Sequence, residues 1–148
     1  MLVKDIMNTS VKTALIDAPI KDIASIMCFN KISGMPVVDD ENKLIGVISE
    51  KDILHAMFPD VSEIMESQSP PDFERLEASY QDIMDKKAGD LMTKTISTVT
   101  PDIPVLKAAA IMWVKKIRRI PVTENEKLVG IISIGDVHKA IFQHSLLD

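Results

Sequence analysis

The chain is written twice, and nothing else in it limits the fold so strongly. Residues 3–58 and 88–142 are imperfect copies that cover about three quarters of the 148 residues. Asp5-Ile6-Met7 returns as Asp90-Leu91-Met92, and Ser33-Gly34-Met35-Pro36-Val37-Val38 as Arg118-Arg119-Ile120-Pro121-Val122-Thr123. Leu44-Ile45-Gly46-Val47-Ile48-Ser49-Glu50-Lys51-Asp52 returns as Leu128-Val129-Gly130-Ile131-Ile132-Ser133-Ile134-Gly135-Asp136. The offset is 85 up to the Pro-Val pair and 84 after it. One residue is therefore missing in the polar run Glu124–Lys127 relative to Asp39–Lys43. A unit of ~55 residues is marginal alone, because it buries too little of its surface. Repeats remove that problem by burying apolar surface against each other.

Each copy reads as strand, helix, hairpin, helix. The short extended pieces are Val11–Ile16 and Ile96–Val99. Ile20, Ile23, Ala24 and Met27 then recur at helical spacing, as do Val105, Ala108, Ala109 and Met112. Asp17 and Asp102 stand ahead of these helices as candidate caps, and Pro19 and Pro104 suit a first turn. Met35–Val38 with Lys43–Ile48, and Ile120–Thr123 with Lys127–Ile132, make the hairpins. The second helices begin at Ser49 and Ser133 and should carry Ile53, Ala56 and Met57, or Val137, Ala140 and Ile141, into a shared core.

This gives an α/β fold with mixed sheets: two β-α-β-β-α repeats packed with pseudo-twofold symmetry. The expected organisation is one repeat at 1–58, an acidic connector at 59–87 and a second repeat at 88–148. Between Pro59 and Asp90 nine acids stand against three bases, a net of −6, so the rest of the chain is +1. Pro70-Pro71 breaks the connector. Phe73, Leu76, Tyr80, Ile83 and Met84 after it predict an amphipathic helix of about 15 residues, docked on its own domain or on a partner.

Several classes of function are excluded or disfavoured. No apolar run approaches the ~20 residues of a membrane span, and the N-terminus lacks the pattern of a signal peptide. The single cysteine, Cys28, leaves no disulfide framework or metal cluster and reads as an inert core thiol. These features predict a cytoplasmic protein. His55, His138 and His144 occupy non-equivalent repeat positions and show no metal spacing. No nucleophile–base set is visible, and no glycine-rich phosphate loop. The net charge of −5 speaks against nucleic acid. Trp113 reads as a core or a dimer contact, and the latter is favoured because Trp is enriched at interfaces.

The sharpest local features are Ser49-x-x-Asp52 and Ser133-x-x-Asp136, each after an apolar strand and at the start of a helix. Serine can cap such a helix while an acid in its first turn favours the dipole. The alternative is a nucleoside site. A helix N-terminus offers N–H groups to phosphate, and an Asp can accept hydrogen bonds from ribose hydroxyls. Gly46 and Gly130 in the preceding strands permit a close backbone approach. The basic run Lys115-Lys116-Ile117-Arg118-Arg119 is either a solvated helix end or a phosphate clamp. Copy one has Asn30-Lys31-Ile32-Ser33-Gly34 there, so its site would hold a phosphate less well.

Taken in order and twice over, these motifs resemble a tandem pair of cystathionine-β-synthase (CBS) domains, the Bateman module. The opening Asp-h-Met (h, hydrophobic), the h-Pro-Val-h strand and the Gly-h-h-Ser-x-x-Asp ending carry the resemblance. Serine replaces the frequent threonine of that ending, and the acidic connector is long. The resemblance implies two clefts between the units and a non-catalytic regulatory module that senses AMP, ADP or ATP by conformational change. S-adenosylmethionine is the variant ligand. Asp52 and Asp136 would hold ribose hydroxyls, with Ser49 and Ser133 near ribose or phosphate, and Arg118 and Arg119 reaching phosphate. Lys12-Thr13, Ser97-Thr98, Pro36-Val37 and Pro121-Val122 would line the adenine slot. No catalytic or metal-binding residue is implied. The implied partners are a second copy in a flat homodimer and a regulated protein. The alternative is a dimeric interaction scaffold with empty clefts.

Overall fold

A computed structural model describes residues 1–58 and 72–147; Pro70-Pro71 and the early connector lie outside them. The described elements, in chain order, are α1 (Val3–Ile6), β1 (Ala14–Leu15), α2 (Ile20–Asn30), β2 (Gly34–Val38), β3 (Leu44–Ser49) and α3 (Glu50–His55). They continue with α4 (Phe73–Met84), α5 (Ala88–Leu91), α6 (Val105–Lys115), β4 (Arg119–Glu124), β5 (Lys127–Ser133) and α7 (Ile134–Leu146). The architecture is mixed α/β, with a β-α-β-β-α order in each copy. The first sheet runs β1-β2-β3, with β1 parallel to β2 in the register Ala14↔Val37 and Leu15↔Val38. Gly34, which opens β2, lies against Ile48 and Ser49 at the end of β3, so that pair is antiparallel. In the second copy β4 and β5 pair antiparallel from Arg119↔Ser133 to Glu124↔Lys127. The counterpart of β1 there is a single parallel bridge, Val99↔Val122.

The hairpin turns account for the missing residue. Asn125 and Glu126 both have positive φ, 53° and 68°, and join the paired residues Glu124 and Lys127. Two left-handed residues in succession form the two-residue turn whose twist matches a hairpin. Copy one has one more residue in its turn and a single left-handed position there, Asn42.

The chain divides into two compact units that interleave the copies. One holds residues 1–12, 40–44 and 95–148, and the other holds 13–39 and 45–94. The Asp-h-Met leader of each copy therefore lies with the body of the other. In the first unit Val3 N–H donates to the Ile103 carbonyl at 2.9 Å, and Asn8 and Ile131 exchange two backbone hydrogen bonds at 2.9 Å. In the second, Ala88 N–H donates to Ala18 at 2.9 Å, and Val47 and Thr93 exchange bonds at 3.0 and 2.8 Å. The leader aspartates cap their own short helices. Asp5 accepts from Leu2 N–H at 2.8 Å, and Asp90 accepts from Lys87 N–H at 3.0 Å.

This docking explains the two strand glycines. A Cβ on Gly46 would lie 2.7 Å from the Met92 sulfur and 3.0 Å from the Thr93 carbonyl. A Cβ on Gly130 would lie 2.8 Å from the Met7 sulfur and 3.0 Å from the Asn8 carbonyl. The close backbone approach expected at these glycines is thus made by a leader segment of the same chain.

The buried side chains form two aliphatic clusters. Ile20, Ile23, Met27, Val37, Ile48 and Ile53 centre one; Val3, Met112, Ile120, Val122, Ile132 and Val137 centre the other. Helix α4 is the amphipathic connector helix, 12 residues long. Its Ile83 is buried in the first cluster, with Tyr80 and Met84 packed beside it.

Three expectations are corrected. Asp17 and Asp102 do not cap: Pro19 and Pro104 are the N-cap residues, without side-chain cap bonds. Asp102 instead accepts from Lys4 Nζ at 3.1 Å, which raises the Lys4 pKa. Ala56 is exposed, because α3 ends at His55 and the chain turns away. Cys28 is exposed, lying off the buried stripe of Ile20, Ile23 and Met27 on α2. Trp113, its counterpart on α6, is 79% exposed, so of its two readings the core one falls.

Candidate functional site

Strand order and register bring the candidate residues to one edge of each sheet. Strands β1 and β2 begin, and β3 ends, along the same edge of the first sheet. Thr13 precedes β1, and extending the Ala14↔Val37 register by one places it beside Pro36. Ser33 and Gly34 open β2, and Ser49 closes β3 and starts α3. The second copy repeats this edge. Ser97 and Thr98 precede the Val99↔Val122 bridge, and Arg119 is the direct register partner of Ser133. The backbone ties strand start to helix start in both: Glu50 N–H donates to the Ser33 carbonyl, and Ile134 N–H to the Arg118 carbonyl, each at 2.9 Å.

The two Ser-x-x-Asp motifs are capping boxes, in which serine and acid satisfy each other's backbone N–H groups. Ser49 N–H donates to Asp52 Oδ2 at 2.9 Å, and Asp52 N–H donates to Ser49 Oγ at 3.2 Å. The Ser133 and Asp136 pair is the same, with both bonds at 3.0 Å. The helix starts are therefore less open than bare helix starts. The first and third amides of each are bonded, and among the described residues only the second, of Lys51 or Gly135, is without an acceptor. Each box also fixes its carboxylate. Oδ2 is held by the serine N–H, and Oδ1 is the oxygen left to point elsewhere. Asp136 Oδ1 accepts nothing from a described residue, whereas Asp52 Oδ1 accepts from Thr93 Oγ1 at 3.3 Å. Both acids are half-buried.

The sites differ in charge. Around the second-copy box stand Arg118 and Arg119, both exposed, with Asp136 as the acid. Around the first-copy box stand Glu50, Lys51 and Asp52. The remaining candidates divide by burial. Lys12, Thr13 and Thr98 are exposed and Ser97 is half-buried. Pro36, Val37, Pro121 and Val122 are buried, with Val37 and Val122 in the cores, so only the backbone of these segments could meet a ligand. Among the described residues no three His, Cys, Asp or Glu side chains form a metal-binding group, and no helix is long and apolar enough to cross a membrane.

Sequence reasoning passed over two residues at these sites. Thr93 follows the Asp-Leu-Met leader and reaches Asp52 only because that leader docks on β3. A polar residue after Met in both copies, Asn8 and Thr93, was the available signal. Lys51 is the other: it is a cation inside the first motif where the second has Gly135.

Residues 3–59 and 88–143 match the CBS domain family. MJ1426, an uncharacterized protein of Methanocaldococcus jannaschii, is 30% identical over 95% of this chain and 91% of its own length. The chloroplastic CBS domain-containing protein CBSX1 of Arabidopsis thaliana is 31% identical over 84% of this chain, which spans 56% of that protein. Among solved structures, CBSX2 of Arabidopsis thaliana in complex with AMP is 28% identical, with a TM-score of 0.74 over 97% of this chain and 98% of that one. Twice-repeated motifs, matching copies and a shared fold lead to one assignment: the chain belongs to the CBS-domain family, as a tandem CBS pair or Bateman module.

Proposed function

We propose that this CBS pair is a non-catalytic regulatory module that binds an adenosine nucleotide, AMP, ADP or ATP, and signals by a shift between conformations. The observation that carries the reading is the duplicated capping box, which fixes a carboxylate beside an unspent amide and, at Asp136, leaves one oxygen to spare. A carboxylate fixed in advance loses little entropy on meeting a ligand. Its Oδ1 suits vicinal ribose hydroxyls, and the second amide of the helix suits a phosphate oxygen. The CBSX2 complex with AMP supports the ligand class.

The second-copy site is the stronger. Asp136 keeps Oδ1 unshared, while Asp52 shares its own with Thr93. Arg118, Arg119 and Asp136 sum to one positive charge, whereas Glu50, Lys51 and Asp52 sum to one negative charge. Each unit charge at ~5 Å is worth roughly 1 kcal/mol in a water-like dielectric and more where water is displaced. Ser133 positions the acid, and Ser97, Thr98 and the backbone of Pro121 and Val122 receive the base. In the first copy Ser49, Asp52, Lys12, Thr13, Pro36 and Val37 take the same roles, with S-adenosylmethionine as the variant ligand.

A ligand that binds one arrangement of the chain better than another shifts their populations, and a regulated protein reads the difference. The chain acts as a homodimer. Thermal unfolding with AMP, ATP and S-adenosylmethionine tests the ligand class. Ligand at a hundred times its Kd stabilises by about 2.7 kcal/mol, and an unchanged midpoint with all three would falsify the sensor reading.

A further inference from the structure

The two capping boxes spend their carboxylates unequally. An ionised carboxylate has about four lone-pair sites, shared between its two oxygens. In copy one, Asp52 Oδ2 accepts the Ser49 N–H at 2.9 Å and the Ser49 hydroxyl at 3.0 Å, which fills it. Asp52 Oδ1 accepts the Thr93 hydroxyl at 3.3 Å, so a single site is left on it. In copy two, Asp136 Oδ2 accepts the Ser133 N–H at 3.0 Å, and Oδ1 is unspent among the described residues. Two hydroxyls on neighbouring carbons therefore find room on Asp136 Oδ1, but Asp52 Oδ1 has room for one.

The difference comes from the leaders. Thr93 of the second leader is fixed by its backbone, which exchanges bonds of 3.0 and 2.8 Å with Val47. That pairing brings its exposed hydroxyl to Asp52 without the side chain having to hold the leader in place. Thr93, Val47, Ser49 and Asp52 all belong to one compact unit. The equivalent residue of the first leader is Asn8, docked on β5 by the same kind of backbone exchange with Ile131. Its side chain turns back along its own chain and accepts from the Ser10 N–H at 2.9 Å. The Thr93 bond is also a displaceable one. It is exposed and longer than the ~3.0 Å limit of ordinary O–H···O bonds.

We propose that Thr93 sets the selectivity of the copy-one site: a vicinal diol seats both hydroxyls on Asp52 only by displacing the Thr93 hydroxyl, whereas a ligand with one hydroxyl there leaves it in place. Thr93 is thus a positioning residue that acts through Asp52. Copy one gains little from the second ribose hydroxyl, and copy two gains the full bond. The inference rests on the role proposed above for Asp52 and adds what its ligand has to displace.

Titration calorimetry with AMP and 2′-deoxy-AMP tests this in the full chain carrying Asp136→Asn, so that the heat reports copy one. Adding Thr93→Val, which keeps the shape of the side chain and removes its donor, should tighten AMP about three- to tenfold, the contribution of one neutral hydrogen bond. Binding of 2′-deoxy-AMP, which brings one ribose hydroxyl, should change by less than about twofold. Thr93→Ser keeps the donor and should bind both nucleotides as the threonine chain does. Altered packing alone would move both nucleotides together. AMP affinity unchanged or weakened by Thr93→Val, equal tightening of both nucleotides, or a Thr93→Ser chain that behaves like Thr93→Val overturns the selectivity role. In each of those cases the sensor reading stands if the native chain binds AMP. A native chain that binds none overturns both.

Discussion

Alanine at Gly130 should undock the leader of the first copy, and the size of the loss can be worked from the contacts. The new Cβ would sit 2.8 Å from Met7 Sδ, 3.1 Å from Met7 Cγ and 3.0 Å from the Asn8 carbonyl oxygen. The methionine can swing aside. The carbonyl cannot, since it accepts from Ile131 N–H at 2.9 Å while Asn8 N–H donates back at 2.9 Å. Overpacking of this kind costs about 1–3 kcal/mol, and two strained backbone bonds add about 0.5–1.5 kcal/mol each. The loss is bounded by release of the leader, whose Val3 is 0% exposed and whose burial contributes about 1.5–3 kcal/mol. The expected destabilisation is therefore about 2–3 kcal/mol, a fall in Tm of roughly 4–12 °C for a chain of this size. Gly135→Ala is the internal control. Its Cβ would meet only Ser133 Oγ, at 3.7 Å, and in the first turn of α7 alanine should stabilise by up to about 1 kcal/mol. Urea and thermal unfolding measure both variants, and amide exchange at Val3 and Asn8 reports the leader itself. Equal tolerance of alanine at Gly130 and Gly135, within ~0.5 kcal/mol, would refute leader docking as the reason for the strand glycine.

Three further outcomes follow from the same geometry. Asp136→Asn should weaken AMP binding about tenfold or more, and more than Asp52→Asn, since a bond to a charged acceptor is worth about 1.5–3 kcal/mol; calorimetry with the opposite order would reverse the ranking of the sites. Lys31→Gly should stabilise by about 1 kcal/mol, because Lys31 ends α2 with φ 53°, a conformation glycine adopts freely; chemical denaturation reads the change. Cys28 should react with a thiol reagent in native buffer, since its helix turns it to solvent; labelling that needs denaturant would contradict that placement.

The repeat made the order of elements legible, because strand and helix periodicities recur at matching positions. The Ser-x-x-Asp motifs were legible as helix starts for the same reason. Interleaving of the copies was not. The Asp-h-Met leaders carry only a four-residue helix each, and what fixes them is backbone pairing with residues such as Ile131 and Val47, which leaves no side-chain pattern. Gly46 and Gly130 signalled that something approaches the strands, but a missing side chain does not say what. The face of α2 was misread at Cys28, and on α6 the core alternative failed at Trp113. Both lie in apolar runs where Met27 and Met112 take the buried positions, and an apolar run around a short helix cannot all face inward. Thr93 reached the first site only through leader docking, so it was hidden along with it.

The account stands on Asp136 and its box as the grip on an adenosine nucleotide. Isothermal titration of AMP into the full chain, beside its Asp136→Asn variant, measures that grip directly. Saturable heat in the native chain, with affinity falling about tenfold or more in the variant, is the predicted result. A native chain that takes up AMP no differently from the variant, or not at all, would contradict it.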